Sequence, residues 1–434
     1  MATVSCTGFT CPVHVAARLL LCFLPCAGAL TYLRTVGSHG EHAVRGPDDL
    51  LDWHPLDREE SIRRKALCMD GTTPGIYFRP ADTKADASAA TKWILNFRDG
   101  GWCSTVDDCI ERLSKPVGTT SIYMKGRLDV TAARGQPFSA FNQVLLWYCD
   151  GGMFAGTRDE PIQTASGPLY FQGRRILVHM LDVLKANFGM NTATEVLLTG
   201  GSAGGWATYL HADFVAQQMP STVTKFRAAP MDGWWPELPA WGVNGKFIDD
   251  VHGMFTLHNM EGVGSEGCRN RLPEADRWRC MFTDHSYAGS KAHFFVIQAL
   301  DGFVGAQNLT VANSAYSASK CANGLLSPSI CTSQDIMNMN IRLATLKPYF
   351  DTFDKSRSTG QGFFLTSCND HVFYRTDKFN MYASNGVTPM EALRKWWNSD
   401  ISSEPAWYLP CQLHAAAPYQ CEPSCAGEVL TSSG

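Results

Sequence analysis

The sequence predicts one large α/β domain, in which a mainly parallel β-sheet is covered by helices on both faces. Short apolar runs typical of buried strands alternate along the chain with longer amphipathic segments typical of helices. Hydrophobic residues make up 45% of the 434 residues and charged residues 18%, enough apolar material for a sizeable core. Strands that alternate with helices favour a parallel sheet, because each crossover helix returns the chain in the same direction.

Five apolar runs are predicted to be buried strands, at residues 93–97, 143–148, 195–199, 294–297 and 363–365. Residues 175–188 and 206–218 are predicted to be helices. Residues 232–283 are irregular and rich in Trp, and are predicted to form an insertion over the carboxyl edge of the sheet. We expect three regions: a signal segment at 1–29, a polar arm at 30–64 and the catalytic domain at 65–434.

The N-terminal segment has the pattern of a secretory signal. His14 and Arg18 precede an apolar run over residues 19–33, and Ala27-Gly28-Ala29 fits a cleavage site for small residues. If the segment is cleaved there, the protein is expected to be secreted and not stably inserted in a membrane. The alternative is an uncleaved N-terminal anchor, although the run is short for a membrane span.

The cysteines favour an oxidising compartment. Four of the 16 fall in the signal segment, and an even set remains: Cys68, Cys103, Cys109, Cys149, Cys268, Cys280, Cys321, Cys331, Cys368, Cys411, Cys421 and Cys425. Such a set predicts disulfides, with Cys103–Cys109 the pair best supported by spacing. Free buried thiols are the alternative. No Cys-x-x-Cys spacing indicates a zinc site, and Asn308-Leu309-Thr310 is a glycosylation sequon.

The charge balance excludes one class of partner. The formal net charge is -4, which lacks the basic footprint of a nucleic-acid-binding protein. An acidic polysaccharide stays possible as a substrate, because a local basic patch would suffice. We expect a monomer.

The segment Gly200-Gly201-Ser202-Ala203-Gly204 lies between a predicted strand and a predicted helix. A sharp turn there exposes the serine hydroxyl, and small neighbours permit the strained backbone and the close helix. Ser202 is therefore the candidate nucleophile, and the amide of Ala203 a candidate oxyanion donor. A glycine-rich turn with a capping serine is the alternative.

A second glycine turn, within residues 97–103, follows the strand at 93–97. Consecutive glycines let backbone amides approach a ligand closely, so the amides of Gly101 and Trp102 are candidate oxyanion donors. An ordinary strand-ending turn is the alternative.

A serine nucleophile needs a histidine base and an orienting carboxylate, expected in the chain order serine, acid, histidine. Asp301 and His371 each follow a predicted strand, so both would emerge at the carboxyl edge of the sheet. The alternatives are a turn aspartate and a surface histidine. Asp370 is a rival acid, but adjacent side chains seldom reach each other well.

Together these residues resemble the pectin acetylesterase family, which includes the animal Wnt deacylase Notum. The matching features are Cys68 to Gly71, Phe97 to Cys103 with Cys109, Tyr148 to Gly151, Phe171 to Gly173, Gly200 to Gly205, Leu210 to Asp213, Asp232 to Trp234, Asp301, Ser367-Cys368 with His371, and Cys421 to Cys425. The resemblance implies an α/β-hydrolase-like fold and a triad of Ser202, Asp301 and His371. It also implies that the amides of Gly101, Trp102 and Ala203 bind the oxyanion.

The chain departs from the family pattern in three places. Arg98-Asp99 stands where plant members typically have Glu-Gly, and Gly201 stands where they have cysteine. The residues after Asp301, Gly302-Phe303-Val304, also differ from the family pattern.

The expected reaction is two-step acyl transfer from an ester, without a metal or organic cofactor. The resemblance favours removal of O-acetyl groups from a polysaccharide such as pectin, with Trp234, Trp235 and Trp241 stacking on sugar rings. Core or lid packing is the alternative role for these residues. The alternative functions are a Notum-like deacylase of a lipid-modified protein and a non-catalytic carbohydrate-binding relative.

Overall fold

The computed structural model describes residues 50–114, 138–237, 246–299 and 360–408, the last with gaps at 367, 369–370, 372, 376 and 401–405. They belong to a compact unit that runs from Asp49 to Gly434. The predicted signal segment, Trp241, Asp301 and Asn308 lie outside the described residues. No helix within these ranges has the length and apolar character needed to cross a bilayer.

A nine-stranded sheet forms the centre of the domain, in the order β1-β2-β4-β3-β7-β8-β9-β10-β11. Its strands are β1 (Asp52–Pro55), β2 (Gly75–Arg79), β3 (Lys92–Phe97), β4 (Asn142–Leu146), β7 (Glu195–Gly201), β8 (Lys225–Met231), β9 (Phe295–Ala299), β10 (Gly362–Thr366) and β11 (Ala406–Tyr408). From β4 to β11 every neighbouring pair is parallel, whereas β1 and β2 form an antiparallel edge. A separate hairpin joins β5 (Ile162–Thr164) to β6 (Gly167–Leu169).

Helices connect and cover these strands. The α-helices are α1 (Arg58–Arg63), α2 (Val106–Arg112), α3 (Gly173–Asn187), α4 (Ala203–Gln218), α5 (Phe247–His258), α6 (Glu266–Arg271), α7 (Thr283–Gly289) and α8 (Pro389–Asn398). Short 3₁₀ helices lie at Ala87–Thr91, Phe138–Ala140, Met190–Thr192, Glu274–Met281, Phe373–Arg375 and Asp377–Asn380.

Each central strand is buried on both faces. In β7, Val196 and Leu198 join one hydrophobic cluster, while Leu197 between them joins another. Successive side chains of a strand point to opposite faces, so the two clusters are the cores on the two sides of the sheet. A fully buried aliphatic side chain contributes roughly 1.5–3 kcal/mol of hydrophobic free energy, which explains the continuous apolar runs of these strands.

The fold class predicted from the sequence is confirmed, as are the five predicted strands and both predicted helices, with ends shifted by a few residues. Two expectations need correction. Residues 30–64 are not wholly a polar arm, because β1 and α1 fall within them and β1 pairs with β2. The segment 232–283 is not irregular throughout, because it contains α5 and α6. β1 is an edge strand whose end residues are exposed, so it lacks the apolar run that marks the central strands.

Three disulfides join described cysteines: Cys68–Cys149, Cys103–Cys109 and Cys268–Cys280. The predicted pairing of Cys103 with Cys109 is confirmed, and it ties the loop after β3 to α2. Cys368 is also disulfide-bonded.

Candidate active site

Ser202 occupies the turn between β7 and α4, at the carboxyl end of the central strand. Its φ of 54° lies in the left-handed region, which is strained for a residue other than glycine. The turn is also tightly packed: a Cβ on Gly204 would lie 2.1 Å from the carbonyl oxygen of Phe97 on β3. A strained serine between a parallel strand and a helix is the geometry that the glycine-flanked motif predicts.

His371 lies beside Ser202, although the two are far apart in sequence. Nε2 of His371 is 2.7 Å from Oγ of Ser202, a hydrogen bond between groups that follow β10 and β7. Strands β7 and β10 are three places apart in the parallel part of the sheet, so their carboxyl ends lie at the same edge. The structure thus brings together the predicted nucleophile and the predicted base, while the predicted acid, Asp301, lies outside the described residues.

Three backbone amides near this pair have no acceptor among the described residues. They belong to Gly101, Trp102 and Ala203, the three predicted oxyanion donors. Gly101 and Trp102 follow β3, and Gly101 adopts a φ of 72° that favours glycine. Ala203 is the first residue of α4, where the amide has no partner within the helix. Amides that are free of protein acceptors are available to bind an anionic oxygen.

A tyrosine that the sequence did not single out contacts two parts of the site. Tyr374 follows His371 by three residues, and its hydroxyl donates to Oδ2 of Asp99 over 2.9 Å. Its ring also covers Gly201, because a Cβ there would lie 2.1 Å from the ring carbons. Tyr374 therefore contacts both Asp99 and Gly201, two of the positions at which the chain departs from the family pattern.

Trp234 and Trp235 are buried, with 2% and 0% of their surfaces exposed. Trp235 packs against Trp102, with ring centroids 4.9 Å apart, and against Trp206 at 5.7 Å. Its ring also lies 6.4 Å from that of His371. In this conformation both residues pack in the core, which is the alternative role that the sequence left open. Neither indole offers an open face to a sugar. Their role in binding substrate stays a prediction.

One group of three possible metal ligands occurs among the described residues, formed by Cys103, Cys109 and His258. The disulfide between Cys103 and Cys109 occupies both sulfur atoms, so this group does not supply thiolate ligands. His258 instead bonds through Nε2 to the carbonyl oxygen of Cys103 at 3.0 Å. Burial lowers the pKa of His258 from 6.5 to about 3, so the ring is neutral and supports the loop that follows Trp102.

Comparison with known proteins agrees with this architecture. The sequence profile of the family described as Pectinacetylesterase matches residues 56–426. The chain belongs to the pectinacetylesterase family. Pectin acetylesterase 5 of Arabidopsis thaliana is 24% identical over 371 residues, covering 83% of this chain and 82% of the relative.

Animal proteins are also similar to the chain. The human palmitoleoyl-protein carboxylesterase Notum is 25% identical over 388 residues, covering 84% of this chain and 72% of that protein. The solved structure of the Wnt deacylase Notum from Drosophila superposes with a TM-score of 0.66 at 22% identity, covering 87% of this chain and 99% of the other. This chain therefore has an α/β-hydrolase-like fold, as that solved structure does.

Proposed function

We propose that this pectinacetylesterase-family protein is a serine carboxylic-ester hydrolase with Ser202 as its nucleophile. The observation that carries the proposal is the 2.7 Å hydrogen bond between Nε2 of His371 and Oγ of Ser202. A hydroxyl becomes a useful nucleophile when a base within hydrogen-bond distance removes its proton during attack. The same bond argues against a non-catalytic carbohydrate-binding relative, which would need no such pair.

The reaction follows two-step acyl transfer. His371 accepts the Ser202 proton at Nε2 as Oγ attacks the ester carbonyl, and then donates it to the leaving alcohol. The amides of Gly101, Trp102 and Ala203 stabilise the negative oxygen of each tetrahedral intermediate. Water, activated by His371, then hydrolyses the acyl-enzyme. Asp301 is proposed as the acid that orients His371, on the family pattern and the chain order serine, acid, histidine.

The proposed substrate is an O-acetylated polysaccharide such as pectin, and the proposed place of action is outside the cell. The pectin acetylesterases among the relatives support an acetyl ester, and the three disulfides support an oxidising compartment.

The second candidate is a deacylase of a lipid-modified protein, favoured by the structural match to the Wnt deacylase Notum over 87% of this chain. The two candidates differ in acyl length. A deacylase of this kind must accept an extended apolar chain, whereas an acetylesterase need not.

Hydrolysis of p-nitrophenyl acetate and p-nitrophenyl octanoate tests both the esterase proposal and the preferred acyl length. We expect faster turnover of acetate, release of acetate from acetylated pectin, and loss of both in Ser202→Ala. Ser166→Ala, at an exposed serine in the β5–β6 turn, is the matched control and should keep full activity. A strong preference for octanoate would favour the deacylase. Equal inactivity of the native protein and Ser202→Ala on every ester would refute the esterase proposal.

A further inference from the structure

Two side chains hold the carbonyl groups of the glycine loop that follows β3. The hydroxyl of Tyr148 donates to the carbonyl oxygen of Gly101 over 2.7 Å. Nη1 of Arg112 donates to the carbonyl oxygen of Gly100 over 3.2 Å. Two consecutive peptide units of this loop are therefore each fixed by a side chain from a different element.

Peptide geometry makes these two bonds significant. In a planar trans peptide the carbonyl bond and the following N–H bond point in opposite directions. A hydrogen bond to the Gly100 oxygen consequently fixes the direction of the Gly101 amide, and one to the Gly101 oxygen fixes that of the Trp102 amide. These are two of the three amides that have no acceptor among the described residues.

Both donors are themselves held in place. Tyr148 is 1% exposed, and its hydroxyl also accepts the amide of Met153 at 3.1 Å. Burial raises the pKa of Tyr148 well above its ordinary value, so the hydroxyl keeps the proton that it donates. Its neighbour Cys149 is bonded to Cys68, which fixes the backbone at this point.

Arg112 lies at the end of α2. Its Nε donates to Oδ1 of Asp108 over 3.2 Å, and the Cys103–Cys109 disulfide joins α2 to the loop. The guanidinium also packs against Gly101, since a Cβ there would lie 3.0 Å from Nη1. A larger residue at position 101 would therefore push Arg112 away from the Gly100 carbonyl.

We propose that Tyr148 and Arg112 are positioning residues that preset the oxyanion site. They hold the Gly101 and Trp102 amides in the donating orientation before an ester binds. Arg112 also strengthens the Gly101 amide, because a charged donor on a carbonyl polarises the whole peptide unit. This inference rests on the proposed esterase function and on the proposed role of these amides. Preset donors need no reorganisation when negative charge develops, which is the main source of their catalytic value.

The test compares an ester with its thiono analogue, in which sulfur replaces the carbonyl oxygen and accepts hydrogen bonds poorly. Loss of one oxyanion donor lowers kcat about 10²–10³-fold, and loss of its support should lower kcat roughly 10–100-fold. We expect Tyr148→Phe and Arg112→Gln to lower kcat on p-nitrophenyl acetate by that factor, with little change in KM. The ratio of oxo to thiono turnover should fall in both variants, because the thiono ester gains less from the donors.

Two variants serve as matched controls. Tyr209→Phe removes a buried hydroxyl that has no hydrogen-bond partner among the described residues. Arg271→Gln removes a guanidinium that donates to the carbonyls of Ala288 and His285 in α7. Both should keep the native rate and the native oxo-to-thiono ratio.

The outcomes separate this inference from the proposed function. If Ser202→Ala abolishes activity but Tyr148→Phe and Arg112→Gln keep the native rate and ratio, only the positioning role is wrong. A fall in rate with an unchanged ratio would also overturn it and leave a purely structural role. Arg112 decides the question if Tyr148→Phe does not fold, because the Arg112 side chain is partly exposed and Gln keeps part of its aliphatic stem. Absence of any Ser202-dependent hydrolysis in the native protein refutes the esterase proposal itself.

Discussion

The hydroxyl of Tyr374 donates a hydrogen bond to the Asp99 carboxylate, and the two groups are 2.9 Å apart. This bond joins the segment that carries His371 to the loop that carries Gly101. Both side chains are buried, with Tyr374 5% and Asp99 8% exposed, so the bond is protected from water. It therefore fixes the position of the proposed base relative to the proposed oxyanion donors.

Tyr374→Phe should lower kcat on p-nitrophenyl acetate about 10-fold, because a hydrogen bond to a charged group contributes about 1.5–3 kcal/mol. The ring remains and still covers Gly201, so KM should change little, whereas loss of the donor to a buried carboxylate should lower the melting temperature. Steady-state kinetics with a thermal melt checks this. Tyr209→Phe is again the control, and an unchanged kcat in Tyr374→Phe would contradict the prediction.

Gly201→Ala should abolish activity and lower the melting temperature. The new Cβ would lie 2.1 Å from ring carbons of Tyr374, far inside van der Waals contact. The clash would displace either Ser202 or the His371 segment, and overpacking typically costs 1–3 kcal/mol. The double variant Gly201→Ala/Tyr374→Ala tests the cause, since removal of the ring should restore part of the melting temperature. No recovery in the double variant would show that the backbone, and not Tyr374, excludes the side chain.

His258→Gln should make the protein less sensitive to acid. The pKa of His258 is lowered from 6.5 to about 3 by burial, so the unfolded chain takes up a proton that the folded chain refuses. The stability from neutral His258 is complete above pH 6.5 and falls as the pH drops toward 3, by up to about 1.4 kcal/mol per pH unit. Gln can keep a donor for the Cys103 carbonyl but does not titrate.

Melting temperatures at pH 6.5 and pH 4 measure this effect. The difference between the two should be smaller in His258→Gln than in the native protein. His252→Gln, at an exposed position of the same helix, should retain the native difference. Equal acid sensitivity in all three proteins would exclude His258 as a source.

Asp150→Asn should change how the stability of the protein depends on pH between acidic and neutral pH. Burial raises the pKa of Asp150 from 3.8 to about 7, although amides of Gly152 and Phe154 donate to its carboxylate. The stability from protonated Asp150 is complete below pH 3.8 and is lost as the pH rises to 7, again by up to about 1.4 kcal/mol per pH unit. Asn stays neutral throughout.

The melting temperature of Asp150→Asn relative to the native protein should therefore rise between pH 4.5 and pH 7.5. Asp213→Asn is the control, because Asp213 also accepts backbone amides but is only partly buried. A constant difference across this range would show that Asp150 is ionised in the folded protein.

The sequence predicts the frame of the site because the frame depends on local patterns. Strands buried on both faces leave continuous apolar runs, and the strained turn at Ser202 requires small neighbours. Chain order then directs attention to His371. The supports of the site leave no such pattern: Tyr148 and Gly101 are 47 residues apart, and Tyr374 and Asp99 are 275 apart. Nothing near any one of them in sequence indicates its partner.

Strand β8 was not predicted from the sequence, for a related reason. It carries Arg227 in the middle of a buried segment, which disrupts the apolar run that marks the other strands. The guanidinium is satisfied by carbonyl oxygens at the end of α8, those of Trp397 at 3.1 Å and Ser399 at 2.8 Å. A charge can be buried when distant groups bond to it, and those groups are not visible from the strand itself.

The place of β10 in the sheet also limits when the proposed pair of Ser202 and His371 can form during synthesis of the chain. Ser202 and His371 are 169 residues apart, and His371 follows β10, which pairs with β9 in the folded protein. Chains are made from the N-terminus at about 5–20 residues per second, so roughly 10–30 seconds separate the synthesis of the two groups. The nascent chain therefore carries the proposed nucleophile without the proposed base for at least that time, and the proposed esterase activity can arise only after His371 has been made.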